Sequence, residues 1–251
     1  MSIQIIPVTG LPIIKEGHDL AELTIKSLEE QGLTPREKDV YVFSHVIASR
    51  VEGKQVDLDK VKPSLKAQEY AQITGKDPRL LQVILDESRG VRRIGPGVII
   101  TETKHGFVCA NAGVDKSNVP GETIVSPLPD APDLTSKRIR ERFKELAGVN
   151  VGVIICDTHG RAHRNGEINV TVGASGFEVI RDRRGEFDLF GYELKIKRTT
   201  VSDELASAAE LVIGQSDEGV PAALIRGYDI IFSETGCAQD IVRSRQKDLF
   251  L

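Results

Sequence analysis

Residues 151–170 read VGVIICDTHGRAHRNGEINV. Val151 to Cys156 is apolar and mostly β-branched, the composition of a buried strand. The run stops on a carboxylate and a hydroxyl, Asp157 and Thr158, and then turns basic with His159, Arg161, His163 and Arg164. Strand ends are where mixed sheets collect ligands. An aspartate there suits a hard cation, and the two guanidinium groups can grip phosphate or carboxylate oxygens. The plain alternative is an aspartate capping the turn that follows a strand.

Outward from this segment, strands and helices alternate irregularly. SIQIIPV (2–8) reads as a first strand, and residues 19–31 as a helix with Asp19 at its N-cap and Gly32 as its stop. DVYVFSHVIAS (39–49) reads as a strand, interrupted by Ser44 and His45. Two helices are expected at 63–74 and 78–88, the second starting at Asp77-Pro78. Residues 91–110 read as β structure with turns at 95–97 and 104–106. An amphipathic helix follows at 136–148, whose Ile139, Phe143 and Leu146 form one stripe. Beyond the central strand come two short extended pieces around GASG (173–176), an alanine-rich helix at 202–214, and strand or mixed structure at 221–232. No β–α–β rhythm persists, so the expectation is an α+β fold with mixed sheets, one unit over 1–251 in two intimately packed lobes. The glycine and proline segments near 95–97 and 119–132 are candidate lobe boundaries.

Composition narrows the function. The chain has 251 residues, 40% apolar and 28% charged, with a formal net charge of −4. That balance argues against bulk nucleic-acid binding, which normally needs a basic face. Cysteines at 109, 156 and 237 form no CxxC pair, which predicts a reducing, cytoplasmic setting. Cys156 lies inside an apolar strand and is expected to be structural. The start, MSIQIIPVTG, lacks the features of a signal peptide, and no apolar run approaches the roughly 20 residues of a membrane span.

Phosphate-binding GxxxxGK[ST] and dinucleotide GxGxxG loops are missing, as are HExxH, a cysteine zinc pattern and GxSxG. Four other segments carry hard oxygen donors or backbone donors. CANAGVDKSN (109–118) sets Asp115 and Asn118 after a strand. The opening stretch supplies Asp157 and Thr158. IGQSDEGVP (213–221) supplies Gln215, Asp217 and Glu218 past a helix, a donor set suited to Mg²⁺ or Mn²⁺ rather than zinc. TGLPII (9–14) offers backbone around Gly10 and Pro12. Each alone is more simply a turn. Together they describe a magnesium-phosphate site of the kind phosphoryl transfer needs.

These same blocks, with DTHGRAHRNG, GASGFEVIRDRRGEFDLFG, GLPIIKEGHDL and HVIASRVEGK, resemble the coenzyme F-420-0:γ-glutamyl ligase family of archaea and actinobacteria, in order and over almost the whole chain. In actinobacteria the module is often fused to a nitroreductase-like domain; the chain fits the stand-alone archaeal form. The resemblance implies a family-specific fold, an intertwined homodimer, and GTP with one or two Mg²⁺ or Mn²⁺ ions per subunit. A potassium ion is compatible with it. It implies that L-glutamate is joined to the deazaflavin precursor coenzyme F-420-0 through an acyl phosphate, with further γ-linked glutamates following.

By matching position, the resemblance implies metal ligation by Asp115, Asp157, Thr158 and Gln215. Nucleotide contact falls to Leu11, Pro12, Ile13 and Ile14, to Ser44, His45, Ser49 and Arg50, to Asn118, and to Ile213, Gly214, Gln215, Ser216, Asp217, Glu218, Gly219 and Val220. Arg161 and Arg164 are assigned to hold an anionic substrate. The family carries Lys where this chain has His45 or Arg50, and an Arg-Pro-aromatic-Arg run where it has RAHR. Two other functions suit the same residues: a metal-dependent nucleotide phosphohydrolase or kinase, and a dimeric nucleotide-binding regulator without turnover.

Overall fold

The structure is a computed structural model that describes residues 2–248. In chain order the elements begin with β1 (Gln4–Pro7), α1 (Leu20–Glu30), β2 (Val40–Ser44), α2 (His45–Val51), β3 (Val56–Asp57), α3 (Leu65–Thr74) and α4 (Pro78–Asp86). The middle of the chain forms β4 (Ser88–Gly95), β5 (Val98–Thr103), β6 (Val108–Ala110), β7 (Ile124–Val125), α5 (Pro132–Ala147), β8 (Gly152–Gly160) and β9 (Glu167–Phe177). The remainder forms β10 (Ile180–Asp182), β11 (Arg198–Thr200), α6 (Val201–Ile213), β12 (Ala222–Arg226) and β13 (Phe232–Ser233). The fold is mixed α+β.

A six-stranded sheet in the order β1-β12-β2-β8-β9-β13 is the frame. Only β2 and β8 pair in parallel; the other neighbours are antiparallel. Strand alternation explains its two dry faces. Val40 and Val42 of β2 pack with Leu205, Ala206 and Ala209 of α6. Tyr41 and Phe43 point the other way, onto Leu20 and Leu28 of α1 and Phe143 of α5. Tyr41 stacks on Phe143 with ring centroids 4.1 Å apart. Burying side chains of this size contributes about 1.5–3 kcal/mol each, which pins the register of the central strands.

A smaller apolar cluster lies beside this frame. Leu81 and Ile84 of α4, Ala67 of α3 and Ile99 of β5 pack with Val114 and Val125. Ala48, Leu128, Ile155 and Val172 form a third cluster, drawn from α2, β8, β9 and the segment between β7 and α5. Cys109, Cys156 and Cys237 are all free thiols, and among the described residues no helix is long and apolar enough to cross a membrane.

Several sequence expectations need correction. The 39–49 segment is not one strand: β2 stops at Ser44, whose Oγ accepts from Val46 N at 3.3 Å and starts α2. The hydroxyl satisfies a helix-start donor that a continuing strand would have paired elsewhere. Residues 167–177 form one long strand rather than two pieces, because β8 supplies a partner from Glu167 to Ser175 and β13 takes over at Gly176 and Phe177. Gly95 and Gly97 turn the β4–β5 hairpin rather than separating lobes. The helix expected at 136–148 begins earlier, at Pro132, a residue suited to the first helical position.

Candidate active site

A cavity of about 350 Å³ opens beyond the carboxyl ends of β2 and β8, the place where open mixed sheets bind ligands. Register brings its walls together. Ser44 pairs with Cys156 across the parallel strands, so the next residues, His45 and Asp157, arrive side by side. Thr158 pairs with Asn169 across the antiparallel strands. Ser44 N donates to the Pro221 carbonyl at 3.0 Å, tying the segment after α6 to the same rim.

Asp157 is buried between two imidazoles. His45 Nε2 approaches its Oδ1 to 3.2 Å, and His159 Nε2 its Oδ2 to 3.0 Å. Thr158 N donates to Oδ1 at 2.8 Å. Burial by itself would raise the carboxyl, but His45 and His159 outweigh it and hold the group well below the usual carboxylate range. Burial likewise opposes a charged His159, yet its hydrogen bonds to Asp157 and the Cys109 thiol push it up to about 10. The result is an ionised carboxylate with a fixed orientation.

Asp115 reaches the same cavity from the smaller cluster. The chain before it makes a tight left-handed turn: Asn111, Ala112 and Gly113 all have positive φ, from 54° to 68°. A Cβ on Gly113 would meet the Leu128 side chain at 2.8 Å, so only glycine permits this approach. Ala112 tolerates a conformation that ordinary residues avoid. Asp115 then accepts from Ser117 N at 2.7 Å and Ser117 Oγ at 2.8 Å.

The third wall follows α6. Gly214 has φ 74°, and a Cβ there would strike the Glu218 carboxyl at 2.2 Å. Its absence lets Glu218 fold back and accept from Ser216 N at 2.7 Å. Gln215 extends from this turn: its Nε2 donates to Thr158 Oγ1 at 2.9 Å and also to Glu210. Thr158 Oγ1 in turn donates to Asn169 Oδ1 at 2.7 Å. An amide, two hydroxyl-bearing strand ends and two carboxylates therefore face one space, a donor set that suits a hard divalent cation carrying phosphate oxygens.

Comparison with known proteins places the chain in a family. The family model described as F420-0:Gamma-glutamyl ligase matches residues 9–227. The chain belongs to the F420-0:gamma-glutamyl ligase family. The relative from Methanothermobacter thermautotrophicus, named coenzyme F420:L-glutamate ligase, is 44% identical over 251 residues, 100% of this chain and 99% of the relative. Proteins of the same name from Methanopyrus kandleri and Archaeoglobus fulgidus are 48% and 38% identical over 242 and 250 residues, covering 94% and 99% of this chain and 93% and 96% of the relatives.

For this ligase-family chain, most residues singled out in the sequence share the one cavity. Leu11, Pro12, Ile13, Ile14, Ser44, His45, Arg50, Asp115, Asn118, Asp157 and Thr158 line it. So do Ile213, Gly214, Gln215, Ser216, Glu218, Gly219 and Val220. Four others do not. Ser49 is buried on the far side of α2, where its Oγ donates to the Pro127 carbonyl at 2.6 Å. Asp217 is exposed, and Arg161 and Arg164 stand on the β8–β9 turn, outside the cavity lining. Ser117, one of the polar residues of the 109–118 segment, also lines the cavity; sequence reasoning missed Asn169, which lines it too, and Glu210, which holds Gln215. The signal for Asn169 was a lone amide inside an apolar strand, INVTV. Glu210 gave the same kind of signal, an acid late in a small-residue helix.

Proposed function

We propose that this protein catalyses GTP-dependent joining of L-glutamate to coenzyme F-420-0. The observation that carries the proposal is the convergence of Asp115, Asp157, Thr158 and Gln215, distant in sequence, on one cavity whose other walls include the turn after β1 and the loop after α6. The relatives' name supplies the substrates. A carboxylate is a poor acyl donor because expelling oxide from it is prohibitive. Its oxygen therefore attacks the γ-phosphorus of GTP, the bond to the β-phosphate oxygen breaks, and GDP leaves. The glutamate amine next attacks the acyl carbon; the C–N bond forms, the C–O bond to phosphate breaks, and the amine proton leaves with the released phosphate or to water. Further glutamates add by the same two steps through γ-linkages.

A divalent cation, Mg²⁺ or Mn²⁺, supplies charge neutralisation between the two approaching anions. The donors fit it. Asp115, Asp157, Thr158 and Gln215 would hold it through oxygen. Among the described residues no group of three or more His, Cys, Asp or Glu side chains is placed to hold a metal alone, which suits an ion completed by substrate phosphates and water. His45 and His159 keep Asp157 ionised and oriented. Arg161 and Arg164, on the β8–β9 turn outside the cavity lining, would offer positive charge to a part of an anionic substrate that extends beyond it.

A homodimer belongs to the same proposal. The segment between β10 and β11 carries Leu189, Phe190 and Ile196 at 99%, 95% and 90% exposure, a patch that a second copy would cover. Light scattering should give twice the chain mass of 27.5 kDa; a monomer would reject it.

Phosphate release tests the activity. We expect release from GTP only when both coenzyme F-420-0 and glutamate are present with Mg²⁺. Release without either acceptor would make the protein a phosphohydrolase, and binding without release a regulator.

A further inference from the structure

A second compartment of about 750 Å³ adjoins the cavity already described. The two share Ile13, Ile14, Arg50 and Asn118, so they are halves of one cleft. Two of the shared residues are joined: Arg50 Nη2 donates to the Asn118 carbonyl at 2.6 Å. The new half is walled by Lys15, Glu16, Gln55, Val119 and Pro120.

Two features point to a ligand. Arg50 Nε and Gln55 Nε2, both on residues lining this half, are shielded from solvent and make no hydrogen bond. Buried donors are normally paired, and acceptor oxygens on a bound molecule could pair them. The wall also carries two cations, Lys15 and Arg50, against one anion, Glu16. The same lining includes Ile13, Val119 and Pro120, which offer apolar surface; Ile13 is 79% exposed. The volume lies within the roughly 300–1,000 Å³ of pockets for cofactor-sized ligands and is far more than free glutamate fills.

We propose that this half binds the acid acceptor, and that Arg50 sits on the border to bring its carboxylate toward the nucleotide. The ligand class is a flat aromatic body with an anionic tail: the body rests on Ile13, Val119 and Pro120, and the tail oxygens take the free donors of Arg50 and Gln55. This rests on the ligase activity proposed above, and it assigns that activity's larger substrate to a place.

The test is fluorescence titration of the full chain with the deazaflavin acid in the absence of nucleotide, alongside GDP binding. Gln55→Leu should weaken acceptor binding about tenfold, the effect of losing one hydrogen bond to a charged group. Lys15→Glu should weaken it several-fold. GDP affinity should not change in either variant. Unchanged acceptor binding in both variants would overturn the proposal and put the acceptor elsewhere. A shift confined to the KM for glutamate would overturn it in favour of the amine. Wild-type protein that binds GDP but no deazaflavin would instead overturn the ligase activity, and the assigned occupant with it. If Gln55→Leu does not fold, Lys15→Glu decides alone, because its side chain is exposed and structurally idle.

Discussion

Gln215 and Thr158 meet side chain to side chain, Nε2 to Oγ1 at 2.9 Å, although 57 residues separate them. The contact joins the turn after α6 to the end of β8 and makes one wall of the cavity. Gln215→Leu removes both the contact and the carbonyl oxygen that would serve the proposed cation site. We expect Mn²⁺ affinity and turnover each to fall about 10–100-fold, with the thermal midpoint little changed. Calorimetric titration with Mn²⁺ checks it; wild-type affinity would remove Gln215 from the cation site.

Asp115→Asn and Asp157→Asn should each lower turnover about 100- to 1,000-fold. The amide is nearly isosteric, so far-ultraviolet circular dichroism should match the parent. Near-normal turnover in both folded variants would show that these carboxylates do not carry the cation.

Cys156 is 1% exposed, packed between β2 and α6, and burial pushes its thiol far above the usual range. It is held neutral and unreactive. Cys156→Ala should keep wild-type turnover and lose about 1–2 kcal/mol of stability through the small cavity left behind. A stably folded variant without activity would contradict a structural role.

Glu102 of β5 anchors the C-terminal segment, with Arg245 Nη2 3.1 Å from Oε2 and Arg92 bound to the same oxygen. Burial opposes the charge, but Arg245 and Arg92 outweigh it and lower the carboxyl below 4.5. The folded group therefore binds its proton less tightly than the unfolded one. Its stabilisation is present above about pH 4.5 and is lost as pH falls through the lowered folded value. Urea midpoints of Glu102→Gln should lie below wild type near neutral pH and converge with it in acid. A gap independent of pH would contradict the ion pairing.

Much of this was legible in the sequence because the signals were local. Asp19 and Asp77 are caps whose side chains accept from the first helical turn, and the apolar run read as a strand is the buried part of β8, which starts at Gly152 and runs on through Asp157 to Gly160. The strand at 39–49 failed because VYVF and HVIAS share β-branched and aromatic content; only Ser44's hydroxyl, chosen by three-dimensional context, marks the switch to helix. The extent of β9 was illegible for another reason. GASG looks like a break until β8 and the N-terminus of α5 lie alongside: Ala174 N donates to Asp133 at 2.8 Å, and a Cβ on Gly173 would meet the Pro132 carbonyl. In the site, residues on turns with strong glycine punctuation, such as Asp115 and Gln215, were found. Asn169 was missed because its role depends on which residue lies across the sheet. Ser49 was assigned to the cavity from its position alone, and helix rotation sends its hydroxyl to Pro127.

One crystal would test the cation site directly: protein grown with GDP and Mn²⁺, measured at the manganese absorption edge. We expect an anomalous peak coordinated by Asp115, Asp157 and the GDP phosphates, with Thr158 and Gln215 completing the protein ligands. A manganese peak bound elsewhere, with GDP in the cavity and the two aspartates free of metal, would contradict it.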